Sequence, residues 1–518
     1  MEYRPFKKKV NLCLFASYPG NGRWNMNQKK INRRKFLINS FEAAAGIGVL
    51  ANCDKRAIVG PDVRAPSAPV GLSQRMRSDG ATYSVNLQWT KHNLTDNTGA
   101  KTETQVLYNI YRKTDLQTSF DDTTPLVAGV PLNSYSDTSP EVQDAFARML
   151  ASPNPNNAGI SFEYHVRAVD ADLNISVPSD PALVPIQPFV PVYTCKNTAA
   201  VTNPNIPLGT NSNEVGKMLD AVIMKMTNQT TVAAAWESLF PSLSLTTLIG
   251  IKINTLAYDK VSTKPAVVEA IVNGLTQMLS RSFPVYNIIV FDDRDSGHMH
   301  DAGFDARNEP GKYRITSTKC NTALDPAVPV TQQQDASVLW GDPVSIAGVN
   351  QKFSKIVEAV DYIINVPVIK DHAQSGITFS LKNLYGLVDD PNGMHSGMCS
   401  PFIPALGSAS ILINGIPVPI KNKIRVIVGD ALAGCFVGGP DVQFGANMTP
   451  CTLIVGTDPV ALDSWALDTI NAFRSANNLW TIEAMPDTKH SQDARHLYLA
   501  SQTYNLGSMN YTEVEASA

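Results

Sequence analysis

"TLIGIKINTLAYDKVSTKPAVVEAIVNGLTQMLSRSFPVYNIIVFDD", residues 247–293, decides the fold. It opens and closes with short, nearly continuous apolar runs, 247–254 and 286–293, the pattern of strands buried on both faces of a parallel sheet. Between them Val267, Ala270, Ile271, Leu275 and Leu279 recur at helical spacing. Two strands joined by a helix form a βαβ unit, and such a crossover demands a parallel pair.

Further strands follow at "VDYIINVPVI" (360–369), "IRVIVGDAL" (424–432) and "CTLIVGTDP" (451–459). The last runs into "DPVALDSWALDTINAF", where Asp458 suits the N-cap and Pro459 the first helical position. The expectation is an α/β domain with a mainly parallel sheet over 197–478, with a C-terminal extension over 479–518.

Upstream the period changes. Residues 66–185 read as all-β. "YSVNLQWT" puts Val85, Leu87 and Trp89 on one face, and "FEYHVRAVD" turns Phe162, Tyr164, Val166 and Ala168 inward. "VLYNIYRKT" sets Tyr108 and Ile110 against Leu107, Asn109 and Tyr111. With its opening "PSAPVGL", its Trp89, "YNIYR", "YHVRAVD" and closing "PSDP", the stretch resembles a fibronectin type III domain, which implies a small β-sandwich. It departs from that pattern in an insert, "LTDNTGAKTETQ" (94–105), and in a long stretch at 140–159. The chain is thus multidomain, a β-sandwich followed by an α/β domain. Such a module acts by default as a spacer.

Residues 1–53 read as an export signal and 54–65 as a linker. "INRRKFLINSFEAAAGIGVLANC" carries Arg33-Arg34 followed by Phe36-Leu37 and a modest apolar stretch from Ala43 to Ala51. It resembles a twin-arginine signal, which implies export of the folded protein to the periplasm or cell surface. Met26 makes a more typical start than Met1. Leu50-Ala51-Asn52-Cys53 is similar to a lipoprotein cleavage box, with Cys53 as the lipidated residue, although Asn52 departs from the usual small residue. A lipid anchor is then the expected membrane contact, because no apolar run reaches the roughly 18 residues that span a bilayer.

Composition narrows the function. Of 518 residues 43% are hydrophobic, enough for sizeable cores, and the net charge of −3 gives no electrostatic case for nucleic acid. After Cys53 come Cys195, Cys320, Cys399, Cys435 and Cys451, with no pair at C-x-x-C spacing, so no iron–sulfur or zinc-ribbon motif is encoded.

In open α/β sheets ligands collect beyond the carboxyl ends of the strands. The polar residues there are Lys252 and Asn254; Asp292, Asp293 and Asp295; Lys370, Asp371 and His372; Asp430; and Asp458. The segment "KDHAQSGITFSLKNLYG" (370–386) converges by its own geometry. As a strand it aligns Thr378, Ser380 and Lys382 on one face, and as a helix Thr378 and Lys382 still meet at i, i+4. A lysine buried against a sheet needs a counter-charge, from the protein or from a ligand, and Asp371 or Asp430 could supply it. Lys252, Lys370, His372 and His395 then leave cations in excess, a set that prefers a carboxylate, phosphate or other oxyanion. Two further stretches are weaker candidates: "DDRDSGHMHDAGFD" (292–305) has His298, His300 and aspartates but no established metal spacing. "VGGP" (437–440) reads as a turn that can also bring backbone close to an anion.

"LIGIKIN", "NIIVFDD", "INVPVIKDHAQSGITFSLKNLYG", "MHSG", "VGDALAGCFVGGP" and "VGTDPVALDSWAL", in this order, resemble the domain of unknown function 362 family over about residues 215–475. The resemblance implies a shared site at Lys252, Asn254, Lys370, His372, Lys382, Asn383, His395, Asp430 and Asp463. It implies no settled reaction. Some members are fused to ferredoxin-like modules; this chain lacks such cysteines, which leaves an external redox partner as the route for any electron transfer.

Two functions follow. One is an exported enzyme of redox or group-transfer type. Lys252, Asn254, Lys370, Thr378, Asn383, Asp430 and Asp463 would hold an anionic substrate or cofactor, with Lys382 and His372 or His395 as acid/base groups. The other is a non-catalytic surface lipoprotein that captures an anionic ligand, with the fibronectin-like module as spacer. The sequence identifies neither cofactor nor metal.

Overall fold

The structure, a computed structural model, describes residues 65–69, 72–78, 82–89, 106–152, 158–205, 209–294, 296–318, 340–442, 445–479, 481–482 and 494–518. The export signal, Cys53, the linker at 54–64 and the insert at 94–105 lie outside these residues. Among the described residues no helix is long and apolar enough to cross a membrane.

The first strands, β1 (Ser73–Ser78), β2 (Tyr83–Gln88), β3 (Val106–Lys113), β4 (Val127–Val130) and β5 (Ser134–Asp137), are followed by a helix, α1 (Pro140–Leu150). Then come β6 (Ser161–Asp170) and β7 (Ala182–Pro185). They form two antiparallel sheets, β1-β2-β5 and β4-β3-β6-β7. Alternation places Val85, Leu87 and Trp89 from one sheet in a single apolar cluster with Tyr108, Ile110, Phe162, Tyr164, Val166 and Ala168 from the other. Helix α1 occupies much of the long stretch at 140–159. Pro140 takes its first turn, and Val142, Ala145, Phe146 and Met149 form its buried stripe. Phe146 stacks on Tyr83 with ring centroids 3.6 Å apart.

Apart from two antiparallel hairpins, Trp340–Ile346 with Val349–Ser354 and Ser410–Ile413 with Ile416–Pro419, the remaining described strands build one large mixed sheet, mostly parallel. Its strands are β8 (Val190–Lys196), β9 (Ile249–Lys252), β10 (Ile288–Asp292), β11 (Arg314–Ser317), β12 (Tyr362–Asn365), β13 (Val368–His372), β14 (Gly376–Thr378), β15 (Ile424–Cys435), β16 (Thr452–Gly456) and β17 (Tyr511–Glu515). The main order is β11-β10-β9-β12-β15-β16-β8-β17, with β13 beside the far half of β15 and β14 paired to β13. β9 and β10 are parallel neighbours joined through the helix Pro265–Leu275, the βαβ unit of the opening stretch. β8 and β17, on either side of the 197–478 span, extend the sheet at one edge.

Both faces of this sheet are covered, which explains the unbroken apolar runs. Ile249, Ile251, Ile288, Val290, Val426 and Val428 join one cluster with the helices Ser212–Thr227 and Pro265–Leu275. Ile289, Phe291, Ile363, Ile427 and Ile454 join the other, with the helix Pro459–Ala476. At that helix Asp468 receives Arg75 and Arg77 from β1 and the hydroxyl of Tyr511 at 2.8 Å. These bonds tie the small sheets to the large one.

Candidate functional site

The register of the parallel strands sets the site. Lys252 at the end of β9 lies opposite Phe291 in β10 and Asn365 in β12, so Lys252, Asp292 and Asn365 form a polar row at adjacent strand ends. The Lys252 ammonium donates to Asp292 at 2.7 Å, to the Ile253 carbonyl at 2.6 Å and to Asn383 Oδ1 at 3.3 Å. Asp292 also accepts from the Thr255 amide and hydroxyl at 2.7 and 2.8 Å. Burial alone would push this carboxyl up; Lys252 and the Thr255 donors hold it below its usual range. Gly386 is packed against this pair. A Cβ there would stand 2.6 Å from Lys252 Nζ and 2.8 Å from Asp292 Oδ1.

Asn383 is a hub with no capacity left over. Its amide nitrogen reaches Asn365 Oδ1 at 2.7 Å, and its oxygen accepts from Lys252 and from Asn254. Asn254 in turn accepts from Lys370 Nζ at 3.0 Å. Lys370 is fully buried behind the cavity wall, and burial pushes its amine down to about 8.

β13 and β14 bring the next groups together. Along β13 side chains alternate, so Lys370 and His372 share one face and Asp371 takes the other. Thr378 lies directly opposite Lys370 in the antiparallel register and joins that face. Asp371 instead accepts the amides of Gly438 and Gly439 at 3.1 and 2.8 Å. The "VGGP" turn thus holds the protein's own carboxylate. After Thr378 the chain leaves strand geometry, and the amide of Asn383 bonds the Phe379 carbonyl at 3.0 Å. That helical turn delivers Lys382 to the cavity beside Thr378. Asp463 fixes the turn, accepting the amides of Ser380 and Leu381 at 2.6 and 3.1 Å. Burial raises the Asp463 carboxyl to about 8.

The cavity measures about 270 Å³; Lys252, Asn254, Asp292, Asp293, Arg294, His372, Thr378, Lys382, Asn383, Tyr385, His395 and Asp441 are in its wall. Asp430 is not. Its oxygens accept the amides of Lys264 and Leu432 at 2.7 and 3.1 Å, and burial raises it to about 6. It supports the start of the helix Pro265–Leu275. Asp458, with amides of Val460 and Ala461 at 2.9 Å, caps its helix. Among the described residues neither Asp371 nor Asp430 forms an ion pair with Lys252, Lys370 or Lys382; Lys252 pairs instead with Asp292. Arg294 pairs with Asp293 at 3.2 Å, and the wall carries as many carboxylates as lysine and arginine groups. The expected excess of cations is therefore absent from this wall, in which Lys382 is the cation without an ion pair among the described residues.

Two histidines are locked in opposite tautomers by the backbone. His372 Nδ1 accepts the amides of Gln374 and Ser375 at 3.0 and 3.2 Å. Its proton therefore sits on Nε2, which has no partner among the described residues. Burial, then Lys382 and His395, hold it well below its ordinary range, so it is neutral. His395 Nδ1 lies 2.9 Å from the Pro391 carbonyl and must donate to it. That leaves Nε2 as an acceptor, 3.2 Å from Lys382 Nζ. The two rings are nearly parallel with centroids 5.9 Å apart. Lys382 is 6% exposed and lies over the Tyr385 ring at 3.7 Å; burial pushes its amine down to about 8. The Thr378 hydroxyl is buried with no partner among the described residues.

Sequence reasoning passed over Arg294, Tyr385, Asp441 and His496. The first three follow strands or motifs and carried only that weak signal. His496 is fully buried, both ring nitrogens lack partners among the described residues, and burial with nearby Lys382 takes it down to about 3. In the 292–305 stretch, His300 pairs with Asp305 at 2.6 Å and His298 stacks on Tyr258. Among the described residues no group of three or more His, Cys, Asp or Glu is placed to hold a metal ion.

No curated protein matches this chain. Solved structures that are similar over part of it include one titled "Myokine structure", at 16% identity over 24% of this chain and 100% of that one, TM-score 0.15. Others are a twitchin kinase region from C. elegans (17% identity, 24% of this chain, 17% of that one, TM-score 0.16) and a β-1,2-glucanase from Parabacteroides distasonis (19%, 32%, 16%, TM-score 0.15). The chain spans less than a fifth of these two, and none of the three bears on its fold or activity. Residues 249–468, which contain every residue of the cavity wall named above, match the model of the family described as Domain of unknown function (DUF362), in support of the resemblance carried by the motifs.

Proposed function

We infer that the cavity binds a small carboxylate or comparable oxyanion of low charge, and that the Lys382–His395 pair moves a proton to or from it. One observation carries the reading. Two donors for which no partner stands among the described residues, His372 Nε2–H and the buried Thr378 hydroxyl, belong to one wall that also holds the Lys382 amine. Buried polar groups are normally satisfied, so an anion that accepts from them repays their burial. His372 with its fixed neutral tautomer is a donor in this reading, while His395 is the proton acceptor.

The wider setting belongs to the same proposal. The twin-arginine-like segment and Cys53 support export with a lipid anchor. Two small antiparallel sheets around a core containing Trp89 support the fibronectin type III-like reading of 66–185. The bonds of Arg75 and Arg77 to Asp468 favour a fixed attachment over a swinging spacer.

Calorimetric titration with acetate, phosphate and small oxo acids tests the site. The wild type should bind at least one of them, and Thr378→Val should weaken that binding about fivefold to tenfold, the worth of one hydrogen bond. Equal binding by both proteins, or none by the wild type, removes the basis of the reading.

A further inference from the structure

Three lysines converge on this end of the sheet, and their amines are in different states. Lys252 is committed to Asp292 and the Ile253 carbonyl. Lys370 lies behind the wall, bonded to Asn254 and, at 3.4 Å, to the Val261 carbonyl. Lys382 lines the cavity, and among the described residues no carboxylate forms an ion pair with it. Its partners are an uncharged imidazole, the face of a tyrosine ring and the Cys399 thiol, whose own titration burial raises.

A buried lysine beside an acceptor and without a counter-charge is the arrangement that yields a neutral, nucleophilic amine. We propose that Lys382 forms an imine with the carbonyl carbon of a small 2-oxo acid held in the cavity. The proposal rests on the anion-site reading and names its ligand class. The carboxylate accepts from His372 Nε2–H and the Thr378 hydroxyl. The His372 and His395 rings face one another with centroids 5.9 Å apart, so the donor to the carboxylate and the base beside the amine belong to the same cavity.

The chemistry closes without an oxidant or reductant. His395 Nε2 takes a proton from the Lys382 ammonium. The freed electron pair attacks the carbonyl carbon; a C–N bond forms and the C=O π pair moves to oxygen, which takes the proton back from His395. The carbinolamine nitrogen then loses its second proton to His395. That proton passes to the hydroxyl, the C–O bond breaks, and water leaves as the C=N bond forms. Ammonium and carbonyl become protonated imine and water, with His395 returned to its neutral state.

The depressed titration of Lys382 is consistent with this step. Burial is its main cause; Cys399 and Asp293 act against it and Arg294 with it.

The test uses the full chain with pyruvate, glyoxylate or 2-oxoglutarate and sodium cyanoborohydride, which reduces an imine to a stable adduct. Intact mass and peptide mapping should show one adduct per chain, on Lys382. Lys382→Met should abolish it. His395→Gln should slow it about tenfold or more, as loss of a positioned base does, while circular dichroism shows both variants folded. Calorimetry without reductant separates the two readings. Binding of an oxo acid with no adduct on Lys382 overturns the imine and leaves the anion site standing. Neither binding nor adduct overturns both. Adducts that persist in Lys382→Met, or scatter over surface lysines, also overturn the imine.

Discussion

Nζ of Lys382 lies 3.2 Å from Nε2 of His395, an acceptor because its Nδ1–H is given to the Pro391 carbonyl. The neighbouring Lys252 is instead locked in an ion pair with Asp292 at 2.7 Å. Two buried lysines of one cavity are thus held by different physics, and variants should separate them.

Lys252→Met leaves the Asp292 carboxylate buried without its counter-charge and should cost about 3–5 kcal/mol. Lys382→Met removes a buried amine with no ion pair, so stability should stay within about 1 kcal/mol or rise. Urea denaturation of both variants checks this. A loss for Lys382→Met as large as that for Lys252→Met would mean Lys382 is a structural residue.

Gly386→Ala should destabilise the fold by about 1–3 kcal/mol, the usual cost of overpacking. The added methyl meets Lys252 and Asp292 at under 3 Å, and neither group can move without breaking the ion pair. An unchanged urea midpoint would contradict the close approach of Gly386 to that pair.

Lys370 makes stability depend on alkaline pH. Its amine titrates near 8 in the fold and near 10.5 when exposed. Between these values the unfolded chain binds the proton that the native state has released, so stability rises with pH across the window. The gain is about 3 kcal/mol at most. Comparing denaturation at the two ends of that window, the wild type should gain more than Lys370→Met. An identical gain in both proteins would assign the effect to other groups.

The strand ends that build the site were legible because buried parallel strands are unbroken apolar runs, so the first polar residue after each stands out. Lys252, Asn254, Asp292, Lys370 and His372 were all visible in this way. The partners were harder. That Asp371 points away from Lys370 follows from strand alternation alone, and the sequence contained that information. The Lys252–Asp292 pair and the bond from the Lys264 amide to Asp430 join residues 40 and 166 positions apart. These needed the strand register and the helix placement, which no local pattern encodes. The helix Pro140–Leu150 carried its signal in Pro140 and the spacing of Val142, Ala145, Phe146 and Met149, within a region whose period otherwise spoke for strands.

The most direct test of the anion site is a nitrogen-15 spectrum of histidine-labelled protein with and without a bound carboxylate. Without ligand, His372 should carry its proton on Nε2 and His395 on Nδ1, both neutral near pH 7. With ligand, the His372 Nε2–H signal should shift and saturate along the binding isotherm, because that donor gains its acceptor. A His372 proton on Nδ1, or a His372 signal that stays unmoved while the carboxylate binds, would contradict the account.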